Sequence, residues 1–272
     1  MGYSGVRPIV VDTLLAMVAA DVVPPVYEHG SLGASGDLAP LAHVALALIG
    51  EGDDETRAVM NAAGIAPVEL GPKEGLALIN GTDGMLGMLV LAIDDLWRVL
   101  RAADVAAAMS VEALLGTDRA FSAELMALRP HPGQTASAAN LRRLLSGSAI
   151  VASHRTGDSR VQDAYSLRCA PQVHGACRDA VAHGERVADI ELGAAIDNPT
   201  VLPDGRIESC GHFHGAPVAH ALDFLAIGVA DVGAICERRT DRLLDQKRSQ
   251  GLPPFLVDDA GVNSGLMIVH YT

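Results

Sequence analysis

The sequence predicts an all-α protein: an elongated bundle of long helices whose irregular loops carry the functional groups, with few short strands. Three observations lead there. Of 272 residues, 49% are hydrophobic but only 3% aromatic, so the core must be assembled mainly from Ala, Leu and Val, which suits closely packed helices. Two apolar runs, 84–116 and 217–244, are far longer than a strand. Strand-like alternation is confined to short pieces at 201–202 and 206–208.

Taken in order, shorter helical patterns cover 9–20 and 39–48. The run 84–116 contains no proline, and Met85, Leu89, Ile93, Leu96 and Leu100 recur at threes and fours, with Asp94, Asp95, Arg98 and Arg101 between or just beyond them. Further helical patterns lie at 137–145 and 173–188. The run 217–244 opens with Pro217 at a first helical position and closes in the charged stretch Glu237 to Arg242. Connections rich in Gly and Pro fall at 23–39, 128–134, 197–215 and 252–265. A buried irregular loop must satisfy its own backbone polar groups, so such loops are where function is sought.

Composition bounds the function. Twenty Lys and Arg against 33 Asp and Glu give a formal net charge of -13, which repels phosphate backbones and anionic lipid surfaces alike, so neither nucleic acid nor a membrane is an expected partner. With 19% charged residues and a mean hydropathy of +0.26, the chain is too apolar for disorder, and it reads as one compact domain over 1–272. Cys169, Cys177, Cys210 and Cys236 form no C-x-x-C pair and are too few for a disulfide framework. No signal peptide is visible, and the apolar stretch 38–50 is short of a membrane span and carries His43. A soluble, cytoplasmic chain is expected.

The most informative segment is Gly30-Ser31-Leu32-Gly33-Ala34-Ser35-Gly36-Asp37-Leu38-Ala39-Pro40-Leu41. One reading is structural, a glycine-rich turn before a helix capped by Asp37. A phosphate-cradling loop is a weaker rival, because no Lys follows the glycines and no strand clearly precedes them. A third reading is chemical. The unhindered Gly36 nitrogen can attack the Ala34 carbonyl if the turn is held tightly, and loss of two waters, one using the Ser35 hydroxyl, leaves a five-membered ring with an exocyclic methylidene. No standard side chain is an electrophile of that kind.

Further motifs follow in order: Gly75-Leu76-Ala77-Leu78-Ile79-Asn80-Gly81-Thr82, Arg129-Pro130-His131-Pro132-Gly133-Gln134, Val161 to Gln172, Asp197-Asn198-Pro199, Gly211-His212-Phe213-His214-Gly215, Glu237-Arg238-Arg239 and Leu252-Pro253-Pro254-Phe255-Leu256. With these, essentially the whole chain resembles the aromatic amino acid lyase family, and most closely its histidine-specific branch. The resemblance implies a 4-methylidene-imidazol-5-one prosthetic group self-formed from Ala34, Ser35 and Gly36, with no metal or dissociable cofactor. Asn80 would contact that group and the substrate amine. Arg168 would pair the substrate carboxylate, as a planar guanidinium does through two parallel hydrogen bonds. Tyr165 would assist proton movements, Gln162 would hold the constellation together, and Phe213 would pack against the ring.

The reaction so implied is non-oxidative elimination of ammonia from an aromatic L-amino acid, with L-histidine going to urocanate. The β-proton is weakly acidic and ammonia leaves poorly, so both an electrophile and a base are needed. Family members are homotetramers whose active sites borrow residues from neighbouring subunits. Their chains extend beyond this one at both ends, with the basic tyrosine on an upstream lid loop and an imidazole-facing glutamate downstream, so 1–272 reads as the helical core without those regions. His212 stands where the family usually has Asn, and His270 where it usually has Gln. Three alternatives stay open: a truncated, inactive lyase-like scaffold or assembly partner, a phenylalanine- or tyrosine-specific member, and a metal hydrolase built on the pair His212 and His214 with His131 or His220.

Overall fold

The computed structural model describes residues 2–272, and helices dominate it. They are α1 (Pro8–Ala19), α2 (Leu38–Leu48), α3 (Asp54–Ala62), α4 (Glu74–Ile79), α5 (Asp83–Ala113), α6 (Ala123–Ala127), α7 (Pro132–Leu145), α8 (Ala149–Ser153), α9 (Tyr165–Arg168), α10 (Ala170–Leu192), α11 (Ala216–Leu244) and α12 (Met267–Tyr271). The strands β1 (Thr200–Val201) and β2 (Ile207–Glu208) pair antiparallel, with Thr200 opposite Glu208. The all-α expectation therefore holds, and both long helices lie where the periodicity put them. The connection expected at 128–134 is shorter, because α7 already begins at Pro132, whose fixed φ suits a first helical position.

The chain forms two compact units, Met1–Leu91 with Glu185–Ala221 and Ala92–Gly184 with Leu222–Thr272. In the first, α1, α2 and α3 bury Val10, Met17, Ala47, Leu48 and Met60 in one cluster. Glu74 at the start of α4 is 1% exposed, and its carboxylate accepts hydrogen bonds from the Arg7 backbone N–H (2.9 Å), the Arg7 guanidinium (2.7 and 2.8 Å) and the Gly71 N–H (2.6 Å). The hydrogen bonds from Arg7 above all, with that from Gly71, hold the Glu74 carboxyl down at about 2.

The second unit packs Val111, Leu114, Phe121, Leu141, Leu145 and Leu167 around small residues such as Ala107 and Ala138. A Cβ on Gly133 would lie 2.1 Å from the Gly175 carbonyl oxygen, so α7 and α10 meet backbone to backbone where only glycine fits. Beside this core lies a buried polar network. Asp104 accepts from the Ser137 hydroxyl (2.6 Å), Asn140 (2.8 Å) and Arg178 (2.7 Å), and it meets His174 Nδ1 at 2.8 Å. The Arg239 guanidinium sits 3.3 Å from His174 Nε2. Burial pushes the Asp104 carboxyl up, but the hydrogen bonds from His174, Ser137 and Asn140 and the Arg178 charge outweigh it and leave it below its ordinary value. On α12, His270 Nε2 lies 3.3 Å from the Asp241 carboxylate and 3.5 Å from Glu237.

One sequence expectation needs correction. The segments Glu74–Ala113 and Ala216–Leu244 are long and apolar enough, by length and composition, to cross a membrane, whereas the sequence reading took the apolar stretches to be too short. Neither segment is an unbroken apolar run, because a few charged residues are interspersed along each. Only 39% and 28% of the two windows are buried within the chain, so apolar residues such as Leu91, Met109, Phe224 and Ile227 are left exposed.

Candidate active site

Ala34, Ser35 and Gly36 form a turn in the first unit, directly before α2. Gly36 has φ +73°, a backbone region that costs a side-chain-bearing residue energy. The turn closes on itself, since the Leu32 N–H donates to the Gly36 carbonyl at 2.7 Å and the Asp37 N–H to the Ser35 carbonyl at 2.8 Å. From the far end of the sequence of this unit, the Gly215 N–H donates to the Ala34 carbonyl at 2.7 Å. The loop carrying Phe213 is thereby fastened to the tripeptide. Phe213 itself is half-buried beside His214, their ring centroids 6.5 Å apart, whereas His212 is exposed.

Asp37 does not cap its own helix, contrary to expectation. It is fully buried, and its Oδ2 accepts the Met85 N–H at 2.8 Å, at the start of α5. The orphan N–H groups and positive end of that helix draw the carboxylate away from the nearer ones. Its Oδ1 is buried with no hydrogen-bond partner. Burial, and then the neighbouring Asp37, push the Asp83 carboxyl above its ordinary range.

Asn80 ends α4 and is 9% exposed. Its Nδ2 donates to the Asn198 carbonyl at 2.9 Å and to Asp197 Oδ1 at 3.3 Å, while Lys73 pairs the other Asp197 oxygen. Asn198 Oδ1 in turn accepts the Cys210 N–H at 2.8 Å, and the Asn198–Pro199 peptide is cis. Asn80 also lines a cavity of about 200 Å3 with Asp83 and Asp197, and His212 and His214 line a larger one of about 510 Å3 with Glu191 and Thr200.

Gln162, Tyr165 and Arg168 lie in the second unit, within one short stretch around α9. The Arg168 guanidinium carbon stands 4.6 Å from the Tyr165 ring centroid, a cation–π contact. Its Nε donates to the Asp163 carbonyl at 2.9 Å, and among the described residues its two terminal nitrogens have no protein partner. Tyr165 is 71% exposed, and Gln162 lines a polar cavity of about 220 Å3 with Arg119, Arg155 and Arg160. The structure therefore gathers the sequence-predicted residues into two groups, Ala34, Ser35, Gly36 and Phe213 with Asn80 in one unit, and Gln162, Tyr165 and Arg168 in the other.

Three residues escaped the sequence reading. The sequence places Met85 only on a helix face, gives Lys73 no role, and shows Asp197 solely as part of a motif. Only Asp197 left a signal, the Asp-Asn-Pro run itself. Among the described residues, no three His, Cys, Asp or Glu side chains are grouped to hold a metal ion, and His212 and His214 find no third ligand.

A helical protein with a Gly-Ala-Ser-Gly turn pinned by a second loop, and an arginine presented beside a tyrosine, belongs to a defined class. The chain is a member of the aromatic amino acid lyase family, whose sequence profile matches residues 1–272. Among its relatives, histidine ammonia-lyase of Streptomyces coelicolor is 62% identical over the whole of this chain, which spans 54% of that protein. The fold matches histidine ammonia-lyase from Trypanosoma cruzi, with a TM-score of 0.86 and 41% identity over 99% of this chain and 52% of that one. It also matches tyrosine aminomutase from Streptomyces globisporus, with a TM-score of 0.89 and 39% identity over 99% of this chain and 56% of that one. The chain thus spans about half the length of the proteins it matches.

Proposed function

We propose that this chain supplies the core of an ammonia-lyase that eliminates ammonia from L-histidine to give urocanate, using a methylidene-imidazolone formed from Ala34, Ser35 and Gly36. The observation that carries the reading is the turn itself. Gly36 is held in the left-handed region, its nitrogen bears no shielding side chain, and the Ala34 carbonyl is gripped from outside the turn, which is what ring closure between those two residues requires. The 62% identity to a histidine ammonia-lyase favours histidine over other aromatic substrates.

Once formed, the group supplies an electrophile that withdraws electrons from the substrate. The chain's own residues do the rest. Arg168 offers its two unpartnered terminal nitrogens to the substrate carboxylate. Tyr165 presents its hydroxyl for proton movement, and Gln162 orients that pair. Asn80, already fixed through Asp197 and Asn198, positions the amine side, and Phe213 packs against the ring.

Such a site assembles in a homotetramer, in which each copy contributes residues to its neighbours' sites. Exposed Tyr165 and the exposed apolar residues Met109, Phe224 and Ile227 suit burial against other copies. The four free cysteines fit a reducing cytoplasm. Intact-protein mass spectrometry tests the proposal: a deficit of two waters mapped to residues 34–36, with ammonia release from L-histidine by the assembled protein, is expected. An unmodified mass overturns it in favour of an inactive scaffold.

A further inference from the structure

We propose that the Gly215 backbone N–H is the donor that stabilises the Ala34 carbonyl oxygen as the tripeptide closes, and that Met85 is the positioning residue that keeps it there. The inference rests on the reading that Ala34, Ser35 and Gly36 cyclise. Gly215 is buried, its N–H points at the Ala34 oxygen at 2.7 Å, and its own carbonyl accepts the Ala219 N–H at 2.9 Å as α11 begins. A side chain at Gly215 would bring its Cβ to 2.6 Å from Met85 Sδ, and one at Gly36 would come to 2.9 Å from the same sulfur. Met85 therefore lies wedged against both glycines, and its own N–H is tied to Asp37, the next residue after the tripeptide. One side chain sets the spacing of donor and turn.

The chemistry explains why a donor is needed there. When the Gly36 nitrogen adds to the Ala34 carbonyl carbon, a C–N bond forms and the C=O π pair moves to oxygen, the atom facing the Gly215 N–H. That oxygen then leaves as water with the protons of the Gly36 and Ser35 nitrogens, and a C=N bond forms between the Ala34 carbon and the Ser35 nitrogen. The second water takes the Ser35 hydroxyl and its α-proton and creates the exocyclic double bond. No oxidant or reductant enters.

Replacing the amide between His214 and Gly215 by an ester deletes the donor, and besides that only weakens the His214 carbonyl as an acceptor. Time-resolved intact mass of the newly made chain is expected to show the two-water loss slowed about 100-fold, the scale set by removal of one oxyanion donor elsewhere. Met85→Ala is expected to slow it about 10-fold at unchanged helix content, by loosening what the donor requires, and Met85→Leu to restore it. If the ester chain does not fold, this second pair decides. Maturation of the ester chain or of Met85→Ala at the wild-type rate overturns the inference and leaves the cyclisation reading intact. A wild-type chain that never loses two waters overturns both.

Discussion

The Asp37 carboxylate accepts the Met85 N–H at 2.8 Å, so the residue that follows the Ala34 to Gly36 turn caps α5 across the first unit rather than its own helix. A fully buried carboxylate in that place fastens the turn to the longest helix of the chain. Asp37→Ala leaves the Met85 N–H unsatisfied and is expected to lower stability by about 1–3 kcal/mol. Asp37→Asn keeps an acceptor and is expected to cost less. Urea unfolding of the two variants, compared with the wild type, checks the order.

The Arg7–Glu74 pair sets an acid limit on the first unit. The Glu74 carboxyl is lowered from 4.5 to about 2, so it binds its proton more readily in the unfolded chain. Its contribution is then fully present above about pH 4.5 and is lost as pH falls through about 2. Glu74→Gln is expected to be less stable than the wild type at neutral pH and to converge with it in strong acid. Thermal unfolding across that range measures the convergence, and parallel curves would contradict the prediction.

Among the described residues Asp104 is the carboxylate that pairs Arg178 and meets His174, with Arg239 next beyond, and all four side chains are buried. Asp104→Asn removes that charge and leaves the buried guanidinium groups uncompensated, at an expected cost of about 3–5 kcal/mol. Chemical denaturation of the second unit's tryptophan, Trp97, which lies beside Arg178, reports the loss.

Two substitutions separate group formation from substrate binding. If the proposed ring forms, Ser35→Ala is expected to abolish the two-water deficit and the ring's ultraviolet absorbance without unfolding the bundle, because on that reading the hydroxyl leaves as water. Arg168→Lys is expected to keep both signatures while raising KM, since an ammonium lacks the planar fork that pairs a carboxylate twice. Undiminished turnover by Ser35→Ala, or an unchanged KM for Arg168→Lys, would remove the assigned role.

What the sequence by itself determined is whatever depends on near neighbours along the chain. The spacing of Met85, Leu89, Ile93 and Leu100 is a property of one helix face, and all four are buried in α5. Ala34, Ser35 and Gly36 are adjacent, so the proposed cyclisation can be posed from the sequence, although on those three letters alone a plain glycine-rich turn reads as well. The helix α3 was legible in principle, because Asp53 caps it by accepting the Thr56 N–H at 2.7 Å, but it buries only Thr56 and Met60, and its periodicity is correspondingly faint. Tertiary structure alone decided the partners of Asp37, Glu74 and Asp104 and the meeting of Gly215 with Ala34. Capping rules name a residue's neighbours in sequence, whereas a buried carboxylate goes to whichever donors the fold leaves unsatisfied, and apart from the Gly71 N–H on Glu74 these lie tens of residues away.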